Sequence, residues 1–452
     1  MTGAARAVAA AVVATALLGG CGDGIARDAV ATATSGQRLA LSWYRFPDGT
    51  EQPEPGQLYD RALHTACAPA RWTDDVVRCV PRADDAVFVD DACAMAIGVV
   101  AAIEQPTHFL GRDVVDGEAR AVRVYVAGDD VDPIATYYRR VEGACVGPFA
   151  ADPAAAYVAI TGELAGADLA PVDEAETGDG RLALVARTAA DGLWAPLGLR
   201  DRTLDAACVP ELGGDGAVRC APTDAVPAAY FADASCVEPA LAAPVETPPP
   251  RVARLEDAAG CPTYRAVGAP LTTPLYRRDG DACRSVQVPA TMAFAVGAPL
   301  ELPTLTRTVE TLPGRRLQRI VLAGDGLRFY DDRLVDTALG GDCVRRPFAD
   351  DVTRCVPAVL APTLRLFAAT CVVPIAVAEL PARACQRPTF AADTTATGFE
   401  VRAIGDPVTE PLFRWVADRC QPYAATPGAA LYRLGPPVDA TAFPGALLYE
   451  ER

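Results

Sequence analysis

The chain has 452 residues, 51% of them hydrophobic, and its formal net charge is −17 at pH 7. The hydrophobic content is ample for a folded core and excludes a disordered chain. The acidic excess disfavours a nucleic acid or an anionic surface as a partner, because like charges repel.

The N-terminus predicts export. Residues 1–20 carry one charge, at Arg6, and the apolar run 7–18 is too short to span a bilayer but typical of a signal peptide. Residues 18–21, Leu-Gly-Gly-Cys, resemble the bacterial lipobox, whose cysteine receives a diacylglycerol after export. We expect Cys21 to be lipidated and residues 21–37, which are small and polar, to form a tether. The alternative is a plain signal peptide with an incidental cysteine.

The expected location is the cell envelope, as an outer-membrane or cell-surface lipoprotein. No later segment has 18 consecutive apolar residues, so the lipid would be the only contact with the membrane.

Cysteine usage fits that location. Without Cys21, 14 cysteines remain, an even number that predicts disulfides in an oxidising compartment. The chain has no C-x-x-C pair and only two histidines, so zinc-type spacing is missing, and we expect no metal site and no cofactor.

Three segments align without gaps, and they define three repeats at 38–180, 181–315 and 316–452. Each has an Arg-Leu pair near its start, then Asp-x-x-Leu, a cysteine, ten further residues and Arg-Cys-x-Pro, so that eleven residues separate the two cysteines. The aspartates are Asp60, Asp201 and Asp336, the paired cysteines are Cys67/Cys79, Cys208/Cys220 and Cys343/Cys355, and the arginines before the second cysteine are Arg78, Arg219 and Arg354.

A second half follows in each repeat, marked by Pro-Thr-aromatic and a later cysteine, so six units of roughly 70 residues are implied. Short alternating apolar segments such as 39–46 and 122–126 predict about four strands per unit. The sequence therefore predicts an all-β, six-bladed β-propeller made of three tandem double-blade repeats, which together form one domain. The alternative is three consecutive β-sandwich domains.

The repeats also predict a disulfide pattern. The first two cysteines of each repeat would face each other across a hairpin, and the third would join the cysteine before Pro-Thr. The predicted pairs are Cys67–Cys79, Cys208–Cys220, Cys343–Cys355, Cys236–Cys261 and Cys371–Cys385. Repeat 1 has Gln105 in place of the Pro-Thr cysteine, so Cys93 would pair with Cys145 or stay reduced, and Cys283 and Cys420 are left without an assigned partner.

This pattern, with its Phe-x-Asp-x-x-Cys extension, resembles uncharacterised cysteine-rich repeat lipoproteins of GC-rich soil proteobacteria. The likeness covers nearly all of the mature chain and implies no activity. Repeat 3 departs from it, because Phe367 and Cys371 are one residue closer together and the aspartate found at Asp90 and Asp233 is missing.

Catalytic signals are scarce. The chain has no lysine and four serines, none of them in a G-x-S-x-G context, so neither a P-loop nor a serine triad is expected. His108 aligns with Tyr264 and Phe390 and is interpreted as a packing residue, and His64 as a surface strand residue. We therefore assign no catalytic, cofactor-binding or metal-binding residue, although the acidic turns 129–132 and 279–281 leave calcium open.

Residues that occur in every repeat favour structural roles, since an active site needs to occur only once. The repeated aspartates would satisfy backbone donors in a turn, and the arginines before the second cysteine would pair with Asp74, Asp215 and Asp350. Acids found in one copy only, such as Glu104, Asp113 and Asp116, are the candidates for catalysis.

Two functions are compatible with these features. The first and favoured one is a lipid-anchored extracytoplasmic binding or scaffold protein for an unknown protein or glycan ligand. The second is a carboxylate-dependent extracellular glycan hydrolase or lyase, with its site in the central channel of the propeller. Two unique carboxylates that converge in a funnel would favour the second.

Overall fold

The computed structural model describes residues 30–451, except for residues 73, 101–105, 116–117, 258–259, 280–281, 349, 351, 369–370, 382–384, 396–397, 417 and 427. These residues form 37 β-strands and two single turns of 3-10 helix, at Gly166–Asp168 and Ala440–Ala442, so the protein is all-β. None of the helices in the described part is long and apolar enough to cross a membrane. The predicted signal peptide and Cys21 lie outside the described residues.

The strands are numbered along the chain. Repeat 1 contains β1 (Leu39–Arg45), β2 (Glu51–Asp60), β3 (Thr65–Arg71), β4 (Val77–Pro81), β5 (Val87–Phe88), β6 (Ala96–Val100), β7 (His108–Val115), β8 (Glu118–Val131), β9 (Thr136–Val141), β10 (Ala144–Ala150), β11 (Ala156–Leu164) and β12 (Asp173–Thr177). Repeat 2 contains β13 (Leu182–Thr188), β14 (Trp194–Asp201), β15 (Ala206–Leu212), β16 (Val218–Pro222), β17 (Val226–Pro227), β18 (Tyr230–Phe231), β19 (Pro239–Pro244), β20 (Val252–Glu256), β21 (Pro262–Leu271), β22 (Leu275–Asp279), β23 (Ala282–Val286), β24 (Thr291–Pro299) and β25 (Thr304–Glu310). Repeat 3 contains β26 (Leu317–Gly324), β27 (Leu327–Asp336), β28 (Gly341–Pro347), β29 (Thr353–Pro357), β30 (Leu360–Phe367), β31 (Pro374–Pro381), β32 (Phe390–Thr395), β33 (Gly398–Pro407), β34 (Phe413–Val416), β35 (Arg419–Pro422), β36 (Ala429–Pro437) and β37 (Gly445–Glu450).

The first four strands of each repeat form an antiparallel meander, and the three meanders join into one sheet of 15 strands. The last strand of each repeat makes the junction, because β12 pairs with β13, β25 with β26, and β37 with β1. Residues at or just before the start of that last strand also pair with the fourth strand of the same repeat. These contacts place Pro171 opposite Arg78, Leu305 opposite Val218, and Ala446 opposite Thr353. The sheet therefore closes on itself as a ring.

The core of the ring lies between neighbouring repeats. In repeat 1, Leu39, Leu41 and Leu58 are fully buried and belong to one cluster with Leu193 and Ala195 of repeat 2. Burial of a leucine side chain contributes about 2 kcal/mol. Equivalent clusters join repeat 2 to repeat 3 and repeat 3 to repeat 1. Each meander thus depends on its neighbour for burial.

The repeated aspartate has the structural role that the sequence predicts. Asp60 is fully buried and accepts hydrogen bonds from the backbone N–H groups of Ala62 (2.9 Å) and Leu63 (3.3 Å). Its second partner is Arg38, whose guanidinium binds it at 2.7 Å. Asp201 with Arg181 and Asp336 with Arg316 repeat the arrangement at 2.6 and 2.7 Å. The surface ion pairs predicted for Arg78, Arg219 and Arg354 are also present.

The second half of each repeat forms a small sheet outside the ring. In repeat 3, β30, β31, β36, β33 and β32 close into a barrel, in which β30 and β32 run parallel. A hairpin, β34–β35, extends from β30. The hairpins β9–β10 and β22–β23 occupy the same place in the other repeats.

The propeller prediction therefore needs correction. A propeller has separate four-stranded blades, whereas the described residues form one 15-stranded sheet and three smaller sheets of seven, eight and seven strands. The small sheets are compatible with the sandwich alternative. The alternation of residues predicted the strands, but it does not encode which strand edges meet between repeats.

All 14 cysteines of the described chain are paired in seven disulfides, which indicates an oxidising compartment. The three hairpin pairs, Cys67–Cys79, Cys208–Cys220 and Cys343–Cys355, are formed as predicted. Cys93 pairs with Cys145, one of the two outcomes left open for it.

The predicted pairs Cys236–Cys261 and Cys371–Cys385 are wrong. Cys236 pairs with Cys283 and Cys371 with Cys420, because the extending hairpin pairs with the strand that precedes the third cysteine. The remaining Cys261 and Cys385 bond to each other across 124 residues and link repeat 2 to repeat 3. Repeat 1 has no equivalent link.

Candidate functional site

The second strand of each meander carries an irregularity at the centre of the ring. The register of β2 with β1 shifts so that residues 55–57 are unpaired, and the same happens at residue 197 in β14 and residues 331–333 in β27. A bulge re-aims side chains away from the regular sheet. The three irregular segments line one cavity of about 500 Å³, together with residues 31–33, Trp43, Arg319 and Arg345. We call it the ring-centre cavity.

Hydrogen bonds from repeats 2 and 3 hold the part of the cavity wall that repeat 1 contributes. Arg187 of repeat 2 donates to the Pro55 carbonyl, and Arg345 of repeat 3 donates to the Pro53 carbonyl at 3.2 Å. Residues 31–36 of the segment predicted to be a tether also contact the ring, since Ala31 pairs with Phe329. All three repeats therefore contribute to the cavity.

Two adjacent carboxyl groups of repeat 3 face different surroundings here. Asp331 is buried, and although burial opposes its ionisation, hydrogen bonds from Arg333 at 3.0 and 3.1 Å outweigh that effect and lower its pKa. Asp332 opens into the cavity, where desolvation and a hydrogen bond with Asp331 raise its pKa to about 6. Carboxyls whose environments separate their pKa values in this way can divide acid and base roles.

This acid pair is unique to repeat 3. At the same distance before the repeated aspartate, repeat 1 has Pro55 and Gly56, and repeat 2 has Pro196 and Leu197. Asp331 and Asp332 could be identified from the sequence, because acids precede Asp336 where no acids precede Asp60 and Asp201 at the same distance.

Two polar atoms of the cavity lining have no hydrogen-bond partner in the protein. These are Nε1 of Trp43 and Oε1 of Gln52, both shielded from the surface. Gln52 is 6% exposed, and its Nε2 donates to the Asp332 carbonyl at 2.9 Å. A buried polar atom without a partner costs about 1–3 kcal/mol, so each of these two atoms lowers the stability of the folded state.

Of the single-copy acids nominated from the sequence, Asp113 alone lies within the described residues, in β7 of the seven-stranded sheet of repeat 1. Glu104 and Asp116 lie outside the described residues. Within the described ranges, no group of three or more His, Cys, Asp or Glu side chains is placed to hold a metal ion. The turn 129–132 belongs to that search, whereas residues 280–281 lie outside the description.

The two histidines do not reach the cavity. His108 is 7% exposed, accepts or donates a hydrogen bond with Thr107 at 2.9 Å, and has a pKa lowered by burial, as a packing residue would. His64 is exposed, but it lies in the turn between β2 and β3 with φ +52°, so its predicted place in a strand is wrong. Its counterparts Asp205 and Gly340 also have positive φ, so the three repeats share the same turn geometry at this position.

A comparison with models of protein families assigns nearly the whole chain to one family. The model of a family of unknown function, DUF7481, matches residues 12–443. The chain belongs to that family. No curated protein and no solved structure matches the chain. Family membership therefore supplies no activity, and the ring-centre cavity is the basis for a functional hypothesis.

Proposed function

We propose that the protein is a lipid-anchored binding protein of the cell envelope, whose ring-centre cavity holds a small polar ligand. The observation that carries this proposal is a cavity of about 500 Å³ that all three repeats build, whose lining combines apolar residues such as Leu184 and Leu199 with the single-copy acid Asp332. Pockets with a few convergent polar groups on largely apolar walls are typical of ligand sites.

The cellular context is part of the same proposal. Seven disulfides support an exported protein, and the Leu-Gly-Gly-Cys motif at 18–21 supports lipidation of Cys21. The anchor would place the ring at the outer membrane or the cell surface, within reach of envelope ligands. The three smaller sheets would then be free to serve as a scaffold for a protein partner.

Gly198 offers a direct test. It lines the cavity, an added Cβ would meet nothing within 4 Å, and its φ does not require glycine. Gly198→Phe should therefore fill the cavity without disturbing the fold. The wild-type protein is screened by thermal shift against neutral sugars, dicarboxylates, amino acids and diamines, and at least one class should raise its melting temperature.

The same compounds should have no effect on Gly198→Phe. The control is Gly162→Phe, since Gly162 lies at an exposed position of β11 with equally open space around it, and this variant should respond as the wild type does. A shift that persists in Gly198→Phe, or no shift with any class, would contradict binding in this cavity.

A carboxylate-dependent glycan hydrolase or lyase is the second candidate, and Asp331 with Asp332 favours it. Asp332 would act as the general acid, because its pKa of about 6 keeps part of it protonated near neutral pH. Release of reducing sugar from envelope glycans that is lost in Asp332→Asn would support this candidate. Equal release by the variant and the wild type would exclude Asp332 as the acid.

A further inference from the structure

Two charged residues in the lining of the ring-centre cavity occur in repeat 3 alone. Counted from the Arg-Leu pair that starts each repeat, Arg319 takes the place of Leu41 in repeat 1 and Leu184 in repeat 2, both of which are buried. Asp332 is likewise confined to repeat 3. Because a charge is costly where an apolar residue would fit, two such charges in one copy indicate a task that the ring performs once.

These two residues lie close together in the wall of the cavity. In the pairing of β26 with β27, the bulge that contains Asp332 lies across from residue 320, which directly follows Arg319. Both residues also contact neighbouring positions of β2. Arg319 donates to the Glu51 carbonyl at 3.3 Å. Gln52 donates through its Nε2 to the Asp332 carbonyl at 2.9 Å.

Neither of the two charges is neutralised within the described part of the chain. The other charged side chains of the lining are in ion pairs, which are Asp331 with Arg333, Glu54 with Arg345 at 3.6 Å, and Glu51 with Arg45 at 2.7 Å. Arg319 has no acidic partner among the described residues and lies over the Tyr330 ring at 5.0 Å. Both side chains are accessible, because Asp332 is exposed and Arg319 is half-buried.

One cation and one carboxyl group of the wall therefore remain for a ligand. A dicarboxylate would meet the Asp332 carboxylate, and a diamine would meet the Arg319 guanidinium, and in each case like charges would repel. A zwitterion satisfies both groups, because its carboxylate can accept two hydrogen bonds from the guanidinium while its ammonium group donates to the carboxylate. Pro196, Leu199 and Phe329 form an apolar part of the wall, which suits an apolar side chain.

From these observations we infer that the ring-centre cavity binds a free α-amino acid with an apolar side chain, whose carboxylate pairs with Arg319 and whose ammonium group pairs with Asp332. The inference rests on the proposed binding function and names the ligand class of the same site. The cavity volume of about 500 Å³ is in the range of small-molecule sites.

The test is isothermal titration of the purified protein at about pH 7.5, where Asp332, with a pKa of about 6, is largely ionised. The probes are L-leucine and L-phenylalanine, each with its N-acetyl derivative, which lacks the ammonium group, and its amide, which lacks the carboxylate. At least one of the two amino acids should bind saturably, and Gly198→Phe should abolish that binding. Each of its derivatives should bind about 10- to 100-fold more weakly, the worth of one charged hydrogen bond.

Two variants assign the charged groups. Arg319→Leu introduces the residue type of the other two repeats, and it should lose the preference for the amino acid over its amide. Asp332→Asn should lose the preference for the amino acid over its N-acetyl derivative. The control is Arg139→Leu, since Arg139 is exposed on β9 and also lies over a tyrosine ring, and this variant should keep both preferences.

An amino acid that binds the wild type no better than its derivatives would overturn the inference, and so would failure of both amino acids to bind. Glucose, succinate and putrescine are titrated for comparison. If one of them binds instead and Gly198→Phe removes that binding, the proposed function stands and only the ligand class is wrong. Absence of binding by every probe would contradict both.

Discussion

The carboxylate of Asp191 accepts a hydrogen bond of 2.6 Å from the backbone N–H of Leu39, 152 residues earlier in the chain. Asp191 lies in the turn between β13 and β14 of repeat 2, and Leu39 begins β1 of repeat 1. Asp325 binds Leu182 in the same way, and Asp48 binds Leu317. The first turn of each repeat therefore fixes the start of another repeat, and the three contacts run once around the ring.

Asp191→Ala should destabilise the ring. The substitution leaves the buried N–H of Leu39 without its acceptor, so we expect the free energy of unfolding to fall by about 1–3 kcal/mol. Urea denaturation followed by far-UV circular dichroism measures this. Asp173→Ala, at an exposed position on β12, is the control and should cost far less. Equal losses in the two variants would show that the contact between repeats carries no stability.

The buried ion pair of each repeat should matter more than the surface pair. Asp201→Asn leaves Arg181 with a neutral partner at a fully buried position, and we expect a loss of about 3 kcal/mol in the free energy of unfolding. Asp215→Asn removes a surface pair with Arg219 in the same repeat, and its effect should be much smaller. The two variants are compared by urea denaturation. A larger loss for Asp215→Asn would contradict the assignment of Asp201 as a buried anchor.

The link between repeats 2 and 3 can be tested chemically. Non-reducing peptide mapping should recover Cys261 joined to Cys385, and a peptide with Cys236 joined to Cys261 would disprove this pairing. Removal of the link in a Cys261→Ser/Cys385→Ser double variant should lower the free energy of unfolding by about 5 kcal/mol on the chain-entropy model, because the bond closes a loop of 124 residues. The other six disulfides should still form, and the same peptide map is the control for that.

Asp332 should make stability depend on pH. Its folded-state pKa of about 6 lies above the ordinary value of 3.8, so between these values the folded state holds a proton that the unfolded state has lost. The free energy of unfolding should therefore fall as pH rises from about 4 to 6, and then level off.

Asp332→Asn should remove that fall and be more stable than the wild type above pH 6, by about 1 kcal/mol after allowance for solvent in the open cavity. The two proteins should have the same stability at pH 4. Asp130→Asn, an exposed acid on β8, should follow the wild-type profile. If Asp332→Asn follows it too, the carboxyl is not held in its protonated form.

Lipidation is tested at Cys21. Cys21→Ser removes the sulfur that would carry the diacylglycerol, and the protein should move from the membrane fraction to the soluble fraction. Thr34→Ser, in the segment that follows, should stay with the membrane. Continued membrane association of Cys21→Ser, measured by fractionation and immunoblotting, would contradict the anchor.

Local features were predictable from the sequence. The alternating segments fixed the all-β class, and Cys67 and Cys79, only 12 residues apart, could meet across one hairpin whatever the rest of the chain does. The same holds for Arg78 and Asp74, which are four residues apart. Repetition also marked Asp60 as structural, because a residue that serves a turn is needed in every copy.

The pairing between repeats was decided only by the tertiary structure. The crossing strands β12, β25 and β37 give each meander a neighbour, and a sequence pattern of period two specifies the face of a strand but not the strand beside it. For the same reason the sequence could not show that Cys261 meets Cys385, or that Trp43, Gln52 and Asp332 line one cavity. These residues are brought together by closure of the ring, since they are far apart in the chain and no local geometry links them.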